Sequence, residues 1–376
     1  MVEAGGVEGA LRAARDAKAA GADLVEFRVD PLCEALVGSG VGESAFVEVG
    51  HLCGSSVLPC VLTCRVEEEG GAYSGDDVWR GELYGRLLGS ETPPRYVDVE
   101  VSAWERSAAL RERVGGSLGE CGLILSAHDF SGVPASLFRD MERMRRHGEA
   151  AVLKVAFRAR SVRDNLEAFE VLGSRDRPTV ALAMGEEGVM SRVLAGKFGG
   201  YLTFASVGGG DATAPGQVGV DDLIGMYRFD RVGFGTRVFG VIGDPVSHSA
   251  SPAVHNDAFE VAGFDGVYVP MRVAAGWESF KATVLEFAGH RGLDFGGASV
   301  TAPHKEHLVR LAEEEGWVVD AVSGACGSAN TLVMAGGGAG VLNTDAAAVV
   351  RPLRERLGVA GLSGVRVAVV GTGGAA

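Results

Sequence analysis

The sequence predicts an α/β protein made of consecutive domains. Short runs rich in Val, Leu and Ala alternate with helix-like stretches from residue 7 to residue 206, and the alternation resumes at residue 237. The runs are apolar on both faces, as is typical of parallel strands covered by helices. The first series contains seven such runs, one fewer than the strands of a (β/α)8 TIM barrel. The sequence therefore predicts an N-terminal TIM barrel followed by a second α/β domain.

The elements of the first series follow the chain in a regular order. A strand should precede the helix pattern at 7–20, but residues 1–6 do not have the composition of a buried strand. We therefore expect either that the first strand is missing from this chain or that the barrel closes differently. The predicted strands are 23–29, 58–65, 96–101, 122–127, 151–157, 179–184 and 201–206. The predicted helices that follow include 76–89, 102–114, 134–147, 161–173 and 187–196.

Glycine-rich segments indicate where the domains divide. One lies at 207–210 and a turn follows near 233–236, with a short helix pattern at 220–229 between them. We expect domains at 1–232, 237–342 and 343–376. The second series predicts strands at 237–242, 266–270, 297–301, 330–334 and 365–370, and helices at 252–262, 276–288, 305–315 and 345–357. Residues 371–376 fit the G-x-G-x-x-A turn that follows a strand in a Rossmann-type dinucleotide-binding domain.

Composition narrows the class of function. The formal net charge of −14 argues against a nucleic-acid partner, because no excess of basic surface is available to neutralise phosphates. No apolar run approaches the roughly 18 residues that would predict a membrane-spanning helix, and we expect no secretory signal at the N-terminus. The six cysteines form no C-x-x-C pair, which favours free thiols in a cytoplasmic protein. We expect no metal site, and the oligomeric state stays open.

Lys154 is the most informative residue of the first series. It lies in the otherwise apolar run 152–157, where burial of a lysine is costly unless its amine is paired or neutral. A neutral amine can attack a carbonyl carbon and form an imine. The alternative is a lysine whose amine extends from the strand end into solvent. Because the active sites of such barrels lie at the carboxyl ends of the strands, we favour the catalytic interpretation.

Other ionisable residues fall at the ends of further predicted strands. His128 could transfer a proton near neutral pH, although a single histidine in such a place is more often structural. Arg28, Arg65 and Arg192 could bind an anionic substrate, because a guanidinium can form two hydrogen bonds to a carboxylate. Each arginine alone is better explained by a surface position or a salt bridge. The combination of Lys154 and His128 on neighbouring strands favours catalysis.

Seven short motifs between residues 7 and 230 resemble, in order and spacing, those of the type I 3-dehydroquinate dehydratases. They lie at 26–30, 63–65 with 69–71, 126–130, 153–155, 184–185, 191–192 and 214–217. The resemblance implies that Lys154 forms an imine with the C3 ketone of 3-dehydroquinate, without a cofactor. It implies that His128 removes the C2 proton and helps the C1 hydroxyl leave as water, with Glu69 as a second acid. Substrate binding would fall to Glu26, Arg28, Arg65, Arg192, Thr213 and Gln217.

Polar residues also stand at the starts of helices in the second series. Ser251 before Pro252 fits a helix N-cap, and the residues just before Asp345 could cap another helix. Lys305 at a helix start opposes the helix dipole, so a functional role is about as well supported as a solvated surface position.

Four segments, 249–252, 299–305, 328–332 and 343–345, resemble those of the shikimate dehydrogenases over residues 237–376. The resemblance implies a catalytic pair, Lys305 and Asp345, and hydride transfer with NADP(H). Ser249 and Ser251 would bind the substrate carboxylate, and Thr301 and Asn330 the ring hydroxyls. The cofactor would bind at Gly371, Gly373, Gly374 and Ala375. Because nothing follows this turn in the given chain, we expect a weak or inactive dehydrogenase.

The two resemblances fall on consecutive reactions. Dehydration of 3-dehydroquinate yields 3-dehydroshikimate, which is the ketone that shikimate dehydrogenase reduces. The sequence therefore predicts a bifunctional enzyme of the shikimate pathway with these small molecules as its binding partners. Two alternatives remain. One is a class I aldolase or another Schiff-base lyase acting on a different keto acid, and the other is a non-catalytic protein that binds shikimate-like acids.

Overall fold

The structure is a computed structural model in which residues 1–2, 6–38, 42–207 and 217–368 are described. The chain forms two compact units. The first comprises Met1–Arg160 and Asp164–Phe234, and the second comprises Ser161–Arg163 and Gly235–Ala376. Among the described residues, no helix combines the length and apolar character needed to cross a membrane.

The first unit contains a parallel sheet whose six strands lie side by side in chain order. They are β1 (Val25–Arg28), β2 (Cys60–Thr63), β3 (Tyr96–Glu100), β4 (Gly122–Asp129), β5 (Ala150–Arg158) and β6 (Thr179–Met184). The helices are α1 (Val7–Ala19), α2 (Asp30–Gly38), α3 (Gly42–Ser55), α4 (Asp77–Leu88), α5 (Val101–Arg106), α6 (Ala108–Gly115), α7 (Leu137–Arg145), α8 (Asn165–Gly173) and α9 (Val189–Val193). Parallel strands with intervening helices confirm the predicted α/β class and are consistent with a TIM barrel.

Two features of this unit differ from the prediction. The segment 201–206 has an isolated bridge between Ser206 and Gly219 in place of the predicted strand. Its apolar side chains Leu202 and Phe204 do pack against the interior of the sheet, so they are buried without the strand pairing that the pattern suggested. The helices α2 and α3 between the first two strands were not predicted. Near the N-terminus, the buried Val2 donates its N–H to the carbonyl of Arg28 over 2.8 Å, beside β1.

The interior face of this sheet is apolar towards the amino ends of the strands and charged towards their carboxyl ends. Val61, Ile124 and Val152 pack together towards the amino ends. Because alternate residues of a strand share a face, Asp98 and Glu100 of β3 lie on the same side as Tyr96, which belongs to that apolar layer. The apolar layer thus supports a charged layer at the carboxyl ends.

The second unit contains a mixed sheet. Its strands are β7 (Arg237–Gly243), β8 (Gly266–Arg272), β9 (Phe295–Val300), β10 (Val318–Val319), β11 (Thr331–Ala335) and β12 (Gly338–Leu342), in the spatial order β10-β12-β11-β9-β7-β8. Its helices are α10 (Ser251–Ala262), α11 (Trp277–Gly289), α12 (Lys305–Glu314), α13 (Ala321–Cys326) and α14 (Asp345–Leu357). The strands β9, β7 and β8, at one side of the sheet, are parallel, while β11 runs antiparallel to both of its neighbours.

The second unit also departs from the predicted elements: β10 and α13 were not predicted, and two further differences concern strands. The strands β11 and β12 form a hairpin, whereas only the first was predicted. The turn contains Gly336 and Gly337, both with positive φ, which matches the twist that a two-residue hairpin turn requires. In the predicted strand at 365–370, residues 365–368 are not a strand, and residues 369–370 lie outside the described part of the chain.

Candidate active sites

Lys154 lies on the interior face of β5, where only 5% of the residue is exposed. Its Nζ donates to Asp98 Oδ2 over 2.9 Å and to Glu26 Oε1 over 3.3 Å. The same nitrogen lies 4.4 Å from the centre of the Phe204 ring. The amine therefore does not extend into solvent, and two carboxylates balance its charge.

Asp98 connects Lys154 to a buried network of charged groups. Its Oδ1 accepts hydrogen bonds from Arg65 over 2.8 Å and from Ser126 over 2.6 Å. Arg65 also donates to Glu100 over 2.9 Å. Burial alone would raise the pKa of Asp98, but the positive charges of Arg65 and Lys154 outweigh it and hold that pKa below its usual range. Asp98 is therefore a permanent negative charge beside the amine.

The structure brings His128 and Glu69 together next to this network. Glu69 Oε2 lies 3.1 Å from His128 Nδ1 and accepts the backbone N–H of His128 over 3.0 Å, while Ser102 donates to Glu69 Oε1. The strand register places His128 two residues beyond Ser126, which is the partner of Lys154. The imidazole of His128 and the carboxyl group of Glu69 thus lie beyond the amine, two residues closer to the carboxyl end of the strand.

The ionisation of this pair suits proton transfer. Burial raises the pKa of Glu69 to about 7, and the negative charge of Glu100 acts in the same direction. Burial lowers the pKa of His128 well below its ordinary value, and the positive charges of Arg65 and Lys154 act in the same direction. Near neutral pH the imidazole is therefore uncharged and can accept a proton, while Glu69 exchanges between its two forms.

The three predicted arginines have different surroundings. Arg65 is buried between two carboxylates, and Arg28 forms two hydrogen bonds to Asp30 at 2.8 and 2.9 Å. Arg192 donates to the carbonyl of Ala183 over 2.6 Å, and its buried Nε has no hydrogen-bond partner within the described residues. Burial lowers the pKa of Arg192 to about 10. Of the three arginines, Arg192 is therefore the one whose guanidinium pairs with no carboxylate among the described residues.

The remaining predicted residues of the first unit are placed unequally. Glu26 accepts a hydrogen bond from Thr63 over 2.9 Å as well as from Lys154. Gln217 lines the same cavity as Glu26. Thr213 lies outside the described residues.

Sequence reasoning missed the residues that hold Lys154 and Arg65. Asp98, Glu100 and Ser126 are fully buried, and none was among the candidates. A signal was available, because two carboxylates two residues apart in an apolar strand share one face and are rarely buried unpaired. Arg80, which donates to Glu100 over 2.6 Å, extends the network towards α4 and was also missed.

The second unit has a site of its own beside β9 and β11. Lys305 Nζ lies 2.6 Å from Asp345 Oδ2, and Asn330 Nδ2 donates to Asp345 Oδ1 over 2.9 Å. These groups face an open cleft of about 360 Å³ that also contains the predicted Ser249, Ser251 and Thr301. The structure therefore brings all the predicted substrate-site residues of this unit into one cleft.

Helix ends explain how two of these residues are placed. The helix α10 begins at Ser251, so the prediction of Ser251 as its N-cap is wrong. The N–H of Ser251 instead donates to the Ser249 hydroxyl over 3.2 Å, which keeps both serines at the cleft. Asn343 accepts the N–H of Ala346 over 3.1 Å and thereby fixes the start of α14, where Asp345 is the first residue.

Neither unit offers a metal site in its described residues, since no group of three or more His, Cys, Asp or Glu there could hold an ion. The predicted cofactor residues Gly371, Gly373, Gly374 and Ala375 lie outside the described part of the chain.

Comparison with known proteins gives concordant results. The sequence model of type I 3-dehydroquinase matches residues 1–234, and that of the shikimate dehydrogenase substrate-binding domain matches residues 241–332. A bifunctional 3-dehydroquinate dehydratase/shikimate dehydrogenase from Arabidopsis thaliana, named chloroplastic, is 34% identical over 370 residues. That match covers 94% of this chain and 57% of the relative, so the chain spans little more than half of the relative's length.

Solved structures of similar proteins include two dehydroquinate dehydratases. A dehydroquinate dehydratase and shikimate dehydrogenase structure from S. pombe is 25% identical, with a TM-score of 0.48, over 91% of this chain and 65% of that one. A 3-dehydroquinate dehydratase from Geobacillus kaustophilus is 28% identical, with a TM-score of 0.48, over 57% of this chain and 82% of that one. Residues 241–332 are similar to the shikimate dehydrogenase substrate-binding domain, and on the match of residues 1–234 the chain belongs to the type I 3-dehydroquinase family.

Proposed function

We propose that the first unit dehydrates 3-dehydroquinate to 3-dehydroshikimate through an imine on Lys154. The observation that carries this proposal is a buried lysine amine between two carboxylates, with a hydrogen-bonded His–Glu pair two residues further towards the carboxyl end of the neighbouring strand. Once deprotonated, the amine attacks the C3 carbonyl, and loss of water gives an iminium ion. The iminium withdraws electrons from C2 and makes its proton acidic.

The remaining steps fall to the neighbouring groups. His128, neutral near pH 7, accepts the C2 proton, and the electron pair moves towards the iminium nitrogen. Return of that pair expels the C1 hydroxyl, which takes up a proton from His128 and leaves as water. Hydrolysis of the iminium then releases 3-dehydroshikimate and regenerates the amine. Glu69 supports this cycle because its pKa of about 7 lets it give or take a proton through His128.

Substrate placement would use cationic and polar groups of the first unit. Arg192 is proposed to bind the substrate carboxylate, because its buried guanidinium has donor capacity that the described residues leave unused. Glu26, Arg28, Arg65, Gln217 and Thr213 are proposed to position the substrate or the groups that contact it. For Thr213 this rests on the family resemblance alone.

The first test is reduction of the imine in place. The chain is mixed with 3-dehydroquinate, treated with borohydride and examined by intact mass and peptide mapping. We expect a stable adduct on Lys154 that is absent in Lys154→Ala. Folded protein that gives no adduct would contradict the proposal. An adduct with other keto acids, and none with 3-dehydroquinate, would favour a different Schiff-base lyase.

For the second unit we propose binding of 3-dehydroshikimate and shikimate in the cleft, with Lys305 and Asp345 as a proton-transferring pair. Their 2.6 Å contact, held by Asn330, supports this role. NADP(H) would supply the hydride, and its assignment rests on the resemblance of residues 237–376 to the shikimate dehydrogenases. A reductase assay with 3-dehydroshikimate and NADPH tests the activity, and binding of shikimate without turnover would favour a non-catalytic role.

We further propose the domain limits 1–232, 237–342 and 343–376 and a cytoplasmic location. The free state of the six cysteines supports the location, because a reducing compartment preserves free thiols. The acidic net charge of −14 supports small-molecule rather than nucleic-acid partners.

A further inference from the structure

A second cleft of the first unit lies at the amino ends of the strands, away from the charged layer that holds Lys154. Its volume is about 420 Å³, and its walls come from the end of α3, the start of β2 and the residues just before β3 and β4. Three of its lining residues are cysteines, namely Cys53, Cys60 and Cys121. All three cysteines also contribute to the apolar core of the first unit, but the proposed lyase chemistry does not use their thiols.

Two of these thiols are in direct contact. Cys53 lies in the last turn of α3, Cys60 is the first residue of β2, and their side chains are hydrogen-bonded to each other. Cys53 is partly exposed, and Cys60 reaches the cleft although it is only 3% exposed. A small oxidant that enters the cleft therefore meets both sulfurs at once.

We propose that Cys53 and Cys60 form a two-thiol redox site that peroxides oxidise to a disulfide. In the first step the Cys60 thiolate attacks one peroxide oxygen, the O–O bond breaks, and Cys60 becomes a sulfenic acid while hydroxide leaves. In the second step the Cys53 sulfur attacks the Cys60 sulfur, and the hydroxyl leaves as water. Both thiols together lose two electrons and two protons, and one hydrogen peroxide becomes two waters.

The surroundings assign different roles to the three cysteines. The hydrogen bond from Cys53 lowers the pKa of Cys60 despite its burial, and the backbone N–H of Arg95 acts in the same direction. Cys53 itself has a raised pKa because it donates that bond. Burial raises the pKa of Cys121 to about 12, and its thiol points to the carbonyl of Gly122 at 3.7 Å. Cys60 is therefore the attacking sulfur, Cys53 resolves the sulfenic acid, and Cys121 stays a thiol.

The chain contains a matched control for access to solvent. Cys33 and Cys64 also form a hydrogen-bonded thiol pair, but both residues are fully buried in the core and neither lines the cleft. If contact between thiols were sufficient, both pairs would oxidise alike. If the cleft provides the access, only the Cys53–Cys60 pair will react.

The experiment uses the full chain carrying Cys326→Ser, because the exposed Cys326 can form disulfides between molecules. The reduced protein is treated with hydrogen peroxide, and the remaining thiols are counted and alkylated. The bridge is then located by tandem mass spectrometry. Residues 29–64 contain no Lys or Arg, so a non-tryptic protease is needed to separate Cys33, Cys53, Cys60 and Cys64. We expect the loss of two thiols and two hydrogen atoms, with the bridge between Cys53 and Cys60.

Variants then separate this pair from the others. Cys53→Ser and Cys60→Ser should each abolish the paired loss of thiols, whereas Cys121→Ser and Cys33→Ser should leave it unchanged. A bridge between Cys33 and Cys64, a bridge to Cys121, or a chain that retains all its thiols would each overturn the proposal. The bridge assignment in the otherwise unmodified chain decides the matter even where a variant fails to fold.

Discussion

Asp98 is the carboxylate that Lys154 and Arg65 share, so its removal tests the balance of charge in the site. In Asp98→Asn two buried cations lose a common partner, and removing one member of a buried ion pair typically costs about 3–5 kcal/mol. We expect destabilisation of that order, together with a lower yield of trapped imine, because the amine loses its anchor. Chemical denaturation and borohydride trapping measure the two effects.

A matched control for Asp98→Asn is Asp176→Asn. Asp176 is about half exposed and pairs with Arg145 over 3.5 Å. Because exposed ion pairs contribute only about 0–1 kcal/mol, this variant should differ little from the parent chain. Equal stability of both variants would mean that Asp98 does not balance the buried cations.

Glu69 gives the stability of the first unit a pH dependence of known sign. Its folded-state pKa of about 7 lies above the ordinary value of 4.5, so the folded protein holds the proton more tightly than the unfolded chain. The resulting stabilisation is complete below pH 4.5 and is lost as the pH rises through 7. With 1.36 kcal/mol for each pKa unit, the loss between pH 5 and pH 8 is about 2 kcal/mol.

The variant Glu69→Gln cannot titrate, so it should lack this loss. We expect its free energy of unfolding, relative to the parent chain, to improve between pH 5 and pH 8. Urea titrations at the two pH values measure the difference. A constant difference between the two proteins at both pH values would show that Glu69 does not titrate in this range.

These residues also show what sequence could and could not predict at this scale. Lys154 was identifiable because a lysine is unusual inside an apolar strand, and His128 because it lies near the carboxyl end of its strand, where barrel sites form. The spacing of Asp98 and Glu100 indicated a shared, buried face, but the partners of Asp98 follow only from the three-dimensional structure. Likewise, Arg28, Arg65 and Arg192 looked equivalent in sequence, and their different partners depend on how β1, β2 and α9 pack.

The connection between β2 and α4 is the element that brings Glu69 to His128. A Cβ added to Gly71 would lie 2.0 Å from the carbonyl oxygen of Arg65, which is a backbone atom and cannot rotate away. We expect Gly71→Ala to displace this connection, to cost about 1–3 kcal/mol as other overpacked sites do, and to weaken the contact between Glu69 and His128. Denaturation and the rate of 3-dehydroquinate dehydration measure the two effects.

Gly148→Ala is the control for Gly71→Ala, because a Cβ there would meet no atom within 4 Å and the residue is exposed. Its stability and rate should match those of the parent chain. A Gly71→Ala protein that behaved like Gly148→Ala would show that the connection can shift without disturbing the site.

Among the elements, those with a regular pattern of apolar residues could be predicted from the sequence. Those defined by hydrogen bonding to a neighbouring strand could not. The strands β1 to β6 were predicted because their apolar runs are separated by helices. The segment 201–206 has a similar composition, but burial of Leu202 and Phe204 needs no hydrogen-bonded neighbour, and composition cannot distinguish the two cases. The strand β12 is glycine-rich and half-exposed, so its composition did not predict a strand. The only signal in the sequence was the turn at Gly336 and Gly337 that precedes it.

At the scale of the whole molecule, each proposed site is built from residues of one unit. The groups around Lys154 belong to the first unit, and those around Lys305 belong to the second. A change in one site should therefore leave the ligand chemistry of the other intact, because the two sites share no residue and effects at independent sites add. This separation can be tested with a pair of lysine variants and two assays.

Lys305→Ala removes the cation that Asp345 holds and leaves that carboxylate facing the cleft. Shikimate binding, measured by calorimetry, should weaken roughly 10- to 100-fold, because a hydrogen bond involving a charged group contributes about 1.5–3 kcal/mol. Imine trapping on Lys154 should be unchanged. Lys154→Ala should show the reverse pattern, with normal shikimate binding and no adduct. If Lys154→Ala weakened shikimate binding as much as Lys305→Ala does, shikimate would be bound in the first unit, and the division of the two reactions between the units would be wrong.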